Sequence, residues 1–463
     1  TQNTCLSTGV PGLDTLLRGG FHRGRLYLVN GEPGSGKTTL GLQFLLEGVR
    51  SGERTMLLSL IESRVELEAV ARSHGWTLDD IEVMELPRGV KQTAVAVQTV
   101  FTPGEVEFGL VAEALIEGVR RYRPDRLVFD SISQLAMLSG SWYELRGPII
   151  EIKAMVQALG CTALLTSSGV RKDLAELETI VHSSITLRSQ TPAYGQVRRE
   201  LSVNKMRGAD FVTGYHNFCI RTGGIEIFTW PKASLEPRRR PWQVINSGIG
   251  ALDTMLGGGL EAGTACLLSG TTGTGKSTLA TLYPLEAARR GERSIVFCFD
   301  ERRDTFLQRS DSLGLDVRRY MDQGLIILQQ IDVGEMSPGE FAHRVRYTVE
   351  EMSARVVLID SLSGYMNAMP EDHLLSVQLH ELLNYLASRE VLTLMIESRH
   401  PGGNGSSWNV DASYIADTVV TLRHFEALGH MRRCLTVVKK RHGDHEKTIR
   451  EFWIAYGGCR VGP

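Results

Sequence analysis

Two stretches of this chain have the residues to cradle a polyphosphate. GEPGSGKTT at 31–39 and GTTGTGKST at 270–278 both fit G-x-x-x-x-G-K-[ST], and each follows a short apolar run and opens a segment of helical character. Glycines let the backbone wrap the phosphates and aim its N–H groups at their oxygens, and the helix that follows adds its positive end. Gly34, Ser35, Gly36, Lys37, Thr38 and Thr39 form one such nucleotide site, and Gly273, Thr274, Gly275, Lys276, Ser277 and Thr278 the other. Lys37 and Lys276 are spaced to reach β- and γ-phosphates, and the hydroxyls of Thr38 and Ser277 to ligate Mg²⁺. Pro284 falls about two turns into the second helix and predicts a kink there, beyond the phosphate site.

Carboxylates follow at fitting places. LVFD ends in Asp130 and VLID in Asp360, and a carboxylate at such a strand end can hold the Mg²⁺ shell opposite the P-loop hydroxyl. An aspartate that caps the next turn is the alternative. The strand after each P-loop helix is expected to end in a further acid, Glu62 after Leu60-Ile61 and Asp300 with Glu301 after Phe299. Near a γ-phosphate such a group orients or deprotonates an attacking water or hydroxyl; a solvated strand-end acid is the plainer reading. Lys205 and Arg207 in VNKMRGAD, and Lys439 and Arg441 in VVKKRHGD, sit at i and i+2 of a strand pattern, so each pair faces one way. Such pairs can act as arginine fingers on a neighbour's nucleotide, or simply charge an edge strand.

The elements that must position these residues come twice. STGVPGLDTLLRGGFHRG at 7–24 returns as NSGIGALDTMLGGGLEAG at 246–263. Asp14 and Asp253 lie 239 residues apart, as do Lys37 and Lys276; Asp130 and Asp360 lie 230 apart, and Arg207 and Arg441 234. A near-constant offset with small loop drift marks a duplicated domain. In each copy apolar runs (LYLVNG, TMLLSLI, DRLVFD and TALLTSS, then ACLLSG, SIVFCFD, RVVLID and VLTLMIES) alternate with longer helical segments. That order predicts a mainly parallel sheet covered on both faces, with ligands at the carboxyl ends of its strands. The domains are read as 1–231 and 246–463. The stretch 232–245 reads as a linker, in which Pro237 and Pro241 flank Arg238, Arg239 and Arg240.

A hydrophobic content of 42% and a net charge of -2 describe an ordinary globular chain with no electrostatic bias toward nucleic acid or an anionic membrane. The seven cysteines form no CxxC pair and read as buried thiols of a reducing compartment. No run approaches the ~18 apolar residues of a membrane span, and TQNTCLSTG lacks the features of a signal peptide, so a cytoplasmic location is expected.

On these residues the chain resembles the KaiC family of RecA-fold ATPases over nearly its whole length. The resemblance rests on the STGVPGLD and NSGIGALD openings, both P-loops, ARSHGW at 71–76, KMRG at 205–208 and KKRHGDHEKTIREFWI at 439–454. It implies an α/β architecture of two tandem RecA-like P-loop NTPase domains, with ATP and Mg²⁺ as ligands. It also implies a hexameric double ring that holds ATP between subunits and hydrolyses it in both domains. The family's lysine and arginine that reach across the interface match Lys205 and Arg207, then Lys439 and Arg441. Met206 and Lys440 between them, and Ser73 in ARSHGW, join the nucleotide contacts by the same match.

The family's paired catalytic glutamates match Ile61 and Glu62 in the first domain, Asp300 and Glu301 in the second. Ile61 takes no proton, so the first domain is expected mainly to hold nucleotide and the second to turn it over, unless Glu62 moves into the missing role. In NVDASYIADTVVTL, Ser413 matches a serine that the family's clock member phosphorylates on itself, and Tyr414 replaces the adjoining threonine. The resemblance thus implies a nucleotide-driven switch or timer acting on partner proteins, with Ser413 either its autokinase acceptor or an ordinary hydroxyl in a turn or cap. A RecA/RadA-type DNA motor shares the fold, but the loop SRHPGGNGSSW at 398–408 has Arg399 as its only arginine and no DNA-binding module is present. Nucleic acid is therefore not an expected partner. A nucleotide-gated scaffold with little turnover is a third reading, compatible with Ile61.

Overall fold

A computed structural model describes residues 5–85, 103–139, 146–168, 171–192, 195–231, 233, 242–332, 334–367, 375–398 and 412–462. The arginines at 238–240 and residues 399–408 of the glycine-rich loop lie outside the described residues.

The first half begins with β1 (Cys5–Leu6), α1 (Leu13–Leu16) and β2 (Phe21–His22), the two strands pairing as a short ribbon. The repeating unit follows as β3 (Leu26–Gly31), α2 (Lys37–Arg50), β4 (Thr55–Ser59), α3 (Arg64–Ser73), β5 (Ile81–Glu85), α4 (Pro103–Tyr122) and β6 (Arg126–Asp130). Next come α5 (Ile132–Ser139), α6 (Arg146–Leu159), β7 (Thr162–Ser167), α7 (Arg171–Ile180) and β8 (Ser183–Gln190). The half closes with β9 (Arg198–Met206), β10 (Tyr215–Arg221) and β11 (Gly224–Ile227). Among the described residues these form one nine-stranded sheet in the order β11-β10-β9-β8-β3-β7-β6-β4-β5. From β8 to β5 every neighbour is parallel; β9, β10 and β11 add an antiparallel wing that the apolar runs did not announce.

The second half repeats this plan. It runs β12 (Val244–Ile245), α8 (Gly250–Met255), β13 (Leu260–Glu261), β14 (Ala265–Gly270), α9 (Lys276–Arg289), β15 (Arg293–Cys298), α10 (Arg303–Ser312), α11 (Val317–Asp322) and β16 (Ile326–Gln330). It continues as α12 (Pro338–Glu350), β17 (Ala354–Asp360), α13 (Leu362–Asn367), α14 (Leu375–Ser388), β18 (Leu392–Ser398), β19 (Thr418–Ala427), β20 (His430–Lys440), β21 (Arg450–Ala455) and β22 (Gly458–Val461). Its sheet order is β16-β15-β17-β18-β14-β19-β20-β21-β22, again parallel up to β19 and antiparallel beyond. Val244 and Ile245, read from sequence as the end of a linker, pair with β13. Helix α9 runs through Pro284 to Arg289 without interruption, buried on nearly every side.

Side chains alternate across each strand, so both faces of each sheet carry a core. Tyr27 and Val29 of β3 pack with Leu40 and Phe44 of α2, whereas Leu26 and Leu28 pack with Ile152 and Val156 of α6. Arg126, 1% exposed, joins the strand that ends in Asp130 to the P-loop helix. Its Nε donates to Glu53 at 2.5 Å, and one terminal nitrogen donates to the carbonyls of Ser7 and Phe44 at 2.8 and 2.9 Å. The guanidinium lies 4.8 Å from the centre of the Phe44 ring. Gly48 leaves room for it, since a Cβ there would sit 2.7 Å from Arg126 Cδ. Breaking a buried ion pair typically costs about 3–5 kcal/mol. Arg126→Met is therefore expected to lower the urea midpoint of the first domain's unfolding by a matching amount, and Arg126→Lys, lacking the planar fork, to recover little of it.

Candidate functional site

In both domains a parallel strand runs into a glycine turn and then a helix. Gly34 and Gly36 have φ of 78° and 102°, Gly273 and Gly275 of 83° and 97°, the left-handed region that glycine enters without a Cβ clash. Packing excludes a side chain as well. A Cβ on Gly36 would lie 2.8 Å from Ile220 Cδ1, and one on Gly275 2.9 Å from both Ile454 Cδ1 and Phe452 Cε1. No side chain caps α2 or α9, so their first N–H groups point outward as an anion site. Lys37 Nζ donates to the carbonyls of Gly31 and Glu32 at 2.8 and 2.9 Å, and Lys276 Nζ to those of Gly270 and Thr271 at 2.8 and 2.7 Å. Burial pushes both lysine pKa values down, against the opposing charges of Asp130 and Asp360. In the second domain the β19–β20 hairpin also grips the loop: Arg433 Nε donates to Gly273 O at 3.1 Å, and His424 Nδ1 lies 3.4 Å from Thr271 Oγ1.

The expected metal pairs do meet. Thr38 Oγ1 donates to Asp130 Oδ2 at 2.6 Å, and Thr166 Oγ1 donates to the other oxygen at 2.5 Å. In the second domain Ser277 bonds to Asp360, but Ile396 occupies the register position of Thr166, and Asp360 Oδ2 is buried without a partner. Burial, eased by the Ser277 hydroxyl, pushes that carboxyl up to about 6. A hydroxyl beside a carboxylate, with one carboxylate oxygen still unbonded in the second copy, is an oxygen donor set that fits a hard cation such as Mg²⁺.

The further acids do not end strands as expected. β4 stops at Ser59 and β15 at Cys298, so Glu62, Asp300 and Glu301 lie in the loops leading to α3 and α10. Leaving the sheet frees the backbone to turn each side chain separately. Ile61 is 61% exposed, while Glu62 is turned inward, its carbonyl fixed by Ser59 Oγ at 2.6 Å. Burial first, then the charges of Asp130 and Glu66, push the Glu62 carboxyl up, and its Oε2 is buried without a hydrogen-bond partner. The first domain thus has an inward-turned acid in the loop after β4 despite Ile61. In the second, Asp300 is exposed and accepts the Ser361 hydroxyl, and Glu301 is held by Arg309.

The Lys–Arg pairs each converge on one turn. Lys205 Nζ donates to the carbonyls of Glu178 and Val181, Arg207 to Thr179 O at 2.6 Å, and Lys153 to Ile180 O at 2.7 Å. Three cations thus cap the negative end of α7. In the second domain Lys439 donates to Ser413 O and Ala416 O at 2.8 and 2.7 Å, and Arg441 to Tyr414 O at 2.5 Å and Asp417 at 3.2 Å. The Arg207 N–H bonds His182 O, and the His182 N–H bonds Leu26 O; Arg441, Asp417 and Ala265 repeat the chain. These cations therefore sit at the amino ends of β3 and β14, five residues or roughly 16 Å along the strand from Gly31 and Gly270.

The residues between the cations face elsewhere. Met206 is buried in the core, and Lys440 is buried in an ion pair with Glu261 at 2.8 Å. Their side chains are thereby withdrawn from any nucleotide, and only their backbones are left to meet one. Ser73 ends α3 with its hydroxyl on Val70 O at 2.7 Å, beside the His74–Arg221 contact rather than on the P-loop. Thr166, Arg309 and Arg433 escaped sequence reading, although aligning the two copies by their offset would have exposed Val70 against Arg309.

A family model described as ATPase: KaiC matches residues 6–232 and, a second time, 245–463. The circadian clock protein KaiC3 of Synechocystis sp. (strain ATCC 27184 / PCC 6803 / Kazusa) is 28% identical over 99% of this chain and 91% of its own length. The circadian clock oscillator protein KaiC of Parasynechococcus marenigrum (strain WH8102) is 27% identical over 98% and 90%. That of Rippkaea orientalis (strain PCC 8801 / RF-1) is 26% identical over 100% and 90%. Among the described residues no helix is long and apolar enough to cross a membrane.

His182 gives this cationic region a pH signature. Its Nδ1 accepts the Leu26 N–H at 3.1 Å, and burial, with the charges of Lys153 and Arg25, pushes the ring down to about 4. An unfolded histidine titrates near 6.5, so between those values the unfolded chain binds the proton more readily. Stability from this contact is present above pH 6.5 and drains as pH falls toward 4. Melting curves at pH 7.5 and pH 5 should show a smaller acid loss for His182→Asn than for the wild type.

Proposed function

The chain belongs to the KaiC family of ATPases, and from that premise we propose that it is an ATP-driven switch or timer acting on partner proteins. Residues 1–231 and 246–463 are its two ATPase domains, and copies assemble into a ring, a hexamer by family precedent. Thr38 with Asp130, and Ser277 with Asp360, would hold Mg²⁺, which when bound neutralises charge on the β- and γ-phosphate oxygens. Lys37 and Lys276 hold the same phosphates against the helix N-termini.

As a water oxygen bonds to the γ-phosphorus and the bond to the β–γ bridging oxygen breaks, Glu62 accepts the water's proton in the first domain. Asp300, fixed by Ser361, does so in the second, or accepts the hydroxyl proton of Ser413 on a neighbouring copy, giving phosphoserine and ADP. The observation that carries this reading is the place of Lys205, Arg207, Lys439 and Arg441. Each pair sits at the amino end of the strand whose other end holds the P-loop, so a neighbour's phosphate is the one it can serve. Ser413 shares the turn that Lys439 and Arg441 grip, which supports it as the acceptor in this reading.

Native mass spectrometry with Mg-ATP should show one dominant closed oligomer, and Arg207→Ala should shift it toward monomer. A strictly monomeric wild type under saturating nucleotide would remove the role in trans. Incubation with γ-labelled ATP should place phosphate in the second domain, and Ser413→Ala should abolish the label while leaving most hydrolysis. Label that persists unchanged in that variant puts the acceptor elsewhere.

A further inference from the structure

Glu301, in the loop after β15, is held by a cation that the first domain lacks. Helices α3 and α10 are counterparts of ten residues each, 239 positions apart, with Glu62 and Glu301 just before them. Arg309 bonds both oxygens of Glu301, at 3.2 and 2.9 Å. Its other nitrogen reaches Thr278 Oγ1 at 3.4 Å, in the first turn of the P-loop helix, and its guanidinium lies 4.9 Å from the centre of the Phe306 ring. The pair is three-quarters buried, so it is screened less than a surface ion pair. Its neighbours are the carboxylates of Asp300 and Asp360 and the thiol of Cys298. At the matching position the first domain has Val70, packed against the core. Glu62 faces Asp130 and Glu66, with no ion pair to a lysine or arginine among the described residues.

A carboxylate accepts a proton from an attacking water only if a lone pair is free to face it. A bidentate guanidinium takes a lone pair on each oxygen and fixes the plane of the carboxylate, so Glu301 cannot turn those lone pairs toward a water. We propose that Arg309 is a positioning residue that latches Glu301 to the P-loop helix and leaves Asp300 as the acid of the second domain, whereas Glu62 of the first domain stays unlatched. The proposal rests on the reading that these acids act on the attacking nucleophile.

The test uses the full chain in two backgrounds. Lys276→Ala reports the first domain, and Glu62→Gln silences it to report the second. In the second-domain background, Arg309→Val should raise kcat for Mg-ATP hydrolysis about fivefold or more, since freeing a positioned base restores part of its typical 10²–10⁴-fold effect. KM should move less than twofold. Arg309→Lys should stay near the slow rate, and Arg309→Val with Glu301→Gln should return to it. An unchanged or lower kcat in a folded, nucleotide-binding Arg309→Val protein overturns the latch.

A second comparison leaves Arg309 intact. Glu62→Gln in the first-domain background should cost tenfold or more, and Glu301→Gln in the second less than twofold. Equal losses overturn the latch, whereas no loss from Glu62→Gln overturns the acid assignment on which it rests.

Discussion

The hydroxyl of Thr38 and the carboxylate of Asp130, 2.6 Å apart, tie the first turn of a helix to the end of a strand 92 residues further along the chain. Most of the first domain serves to make that contact possible. β3 must lie one strand away from β6, with β7 between them, for the glycine turn and the aspartate to emerge at one edge. Parallel order puts the carboxyl ends of all three strands on that edge, and helices on both faces keep the order. Arg126 then fixes the depth of β6 against α2 from the far end of the same strand. Chemistry at the tip and packing at the base of β6 therefore depend on each other.

Duplication has kept this frame and altered its charges. Thr166 gives way to Ile396, so Asp130 is fully bonded where Asp360 keeps a bare buried oxygen. His182 gives way to Asp417, both accepting the N–H of the residue that opens the P-loop strand. The histidine is forced neutral among cations; the aspartate neutralises one of them, Arg441. Val70 gives way to Arg309. Each exchange leaves the strand register where it was and changes the local field around the P-loop.

How much of this was legible depended on the length scale of the signal. LYLVNG and ACLLSG coincide with β3 and β14 residue for residue, because an apolar run flanked by glycine has few other uses. The P-loop turns and the positions of Asp130 and Asp360 were legible for the same reason, each tied to a strand end. The antiparallel wing was not, since β9 and β20 are rich in charge and are half solvated. The stopping points of β4 and β15 were missed because apolar residues continue past the strand ends through Leu60 and Phe299, which still donate their N–H groups to the carbonyls of Asp130 and Asp360. Arg309 was invisible for a different reason: one arginine on a polar helix reads as a solvated face until its partner's position is known.

The turns that the Lys–Arg pairs grip carry one more consequence. Lys205, Arg207, Lys439 and Arg441 are not free charges awaiting an anion, because each already donates to carbonyls of its own chain. A phosphate that recruits them must displace those carbonyls, and hydrogen bonds from charged donors are worth about 1.5–3 kcal/mol each. What an incoming nucleotide gains is the difference between two good acceptors, and that difference is small. If the phosphate leaves, the same carbonyls stand ready to take the cations back.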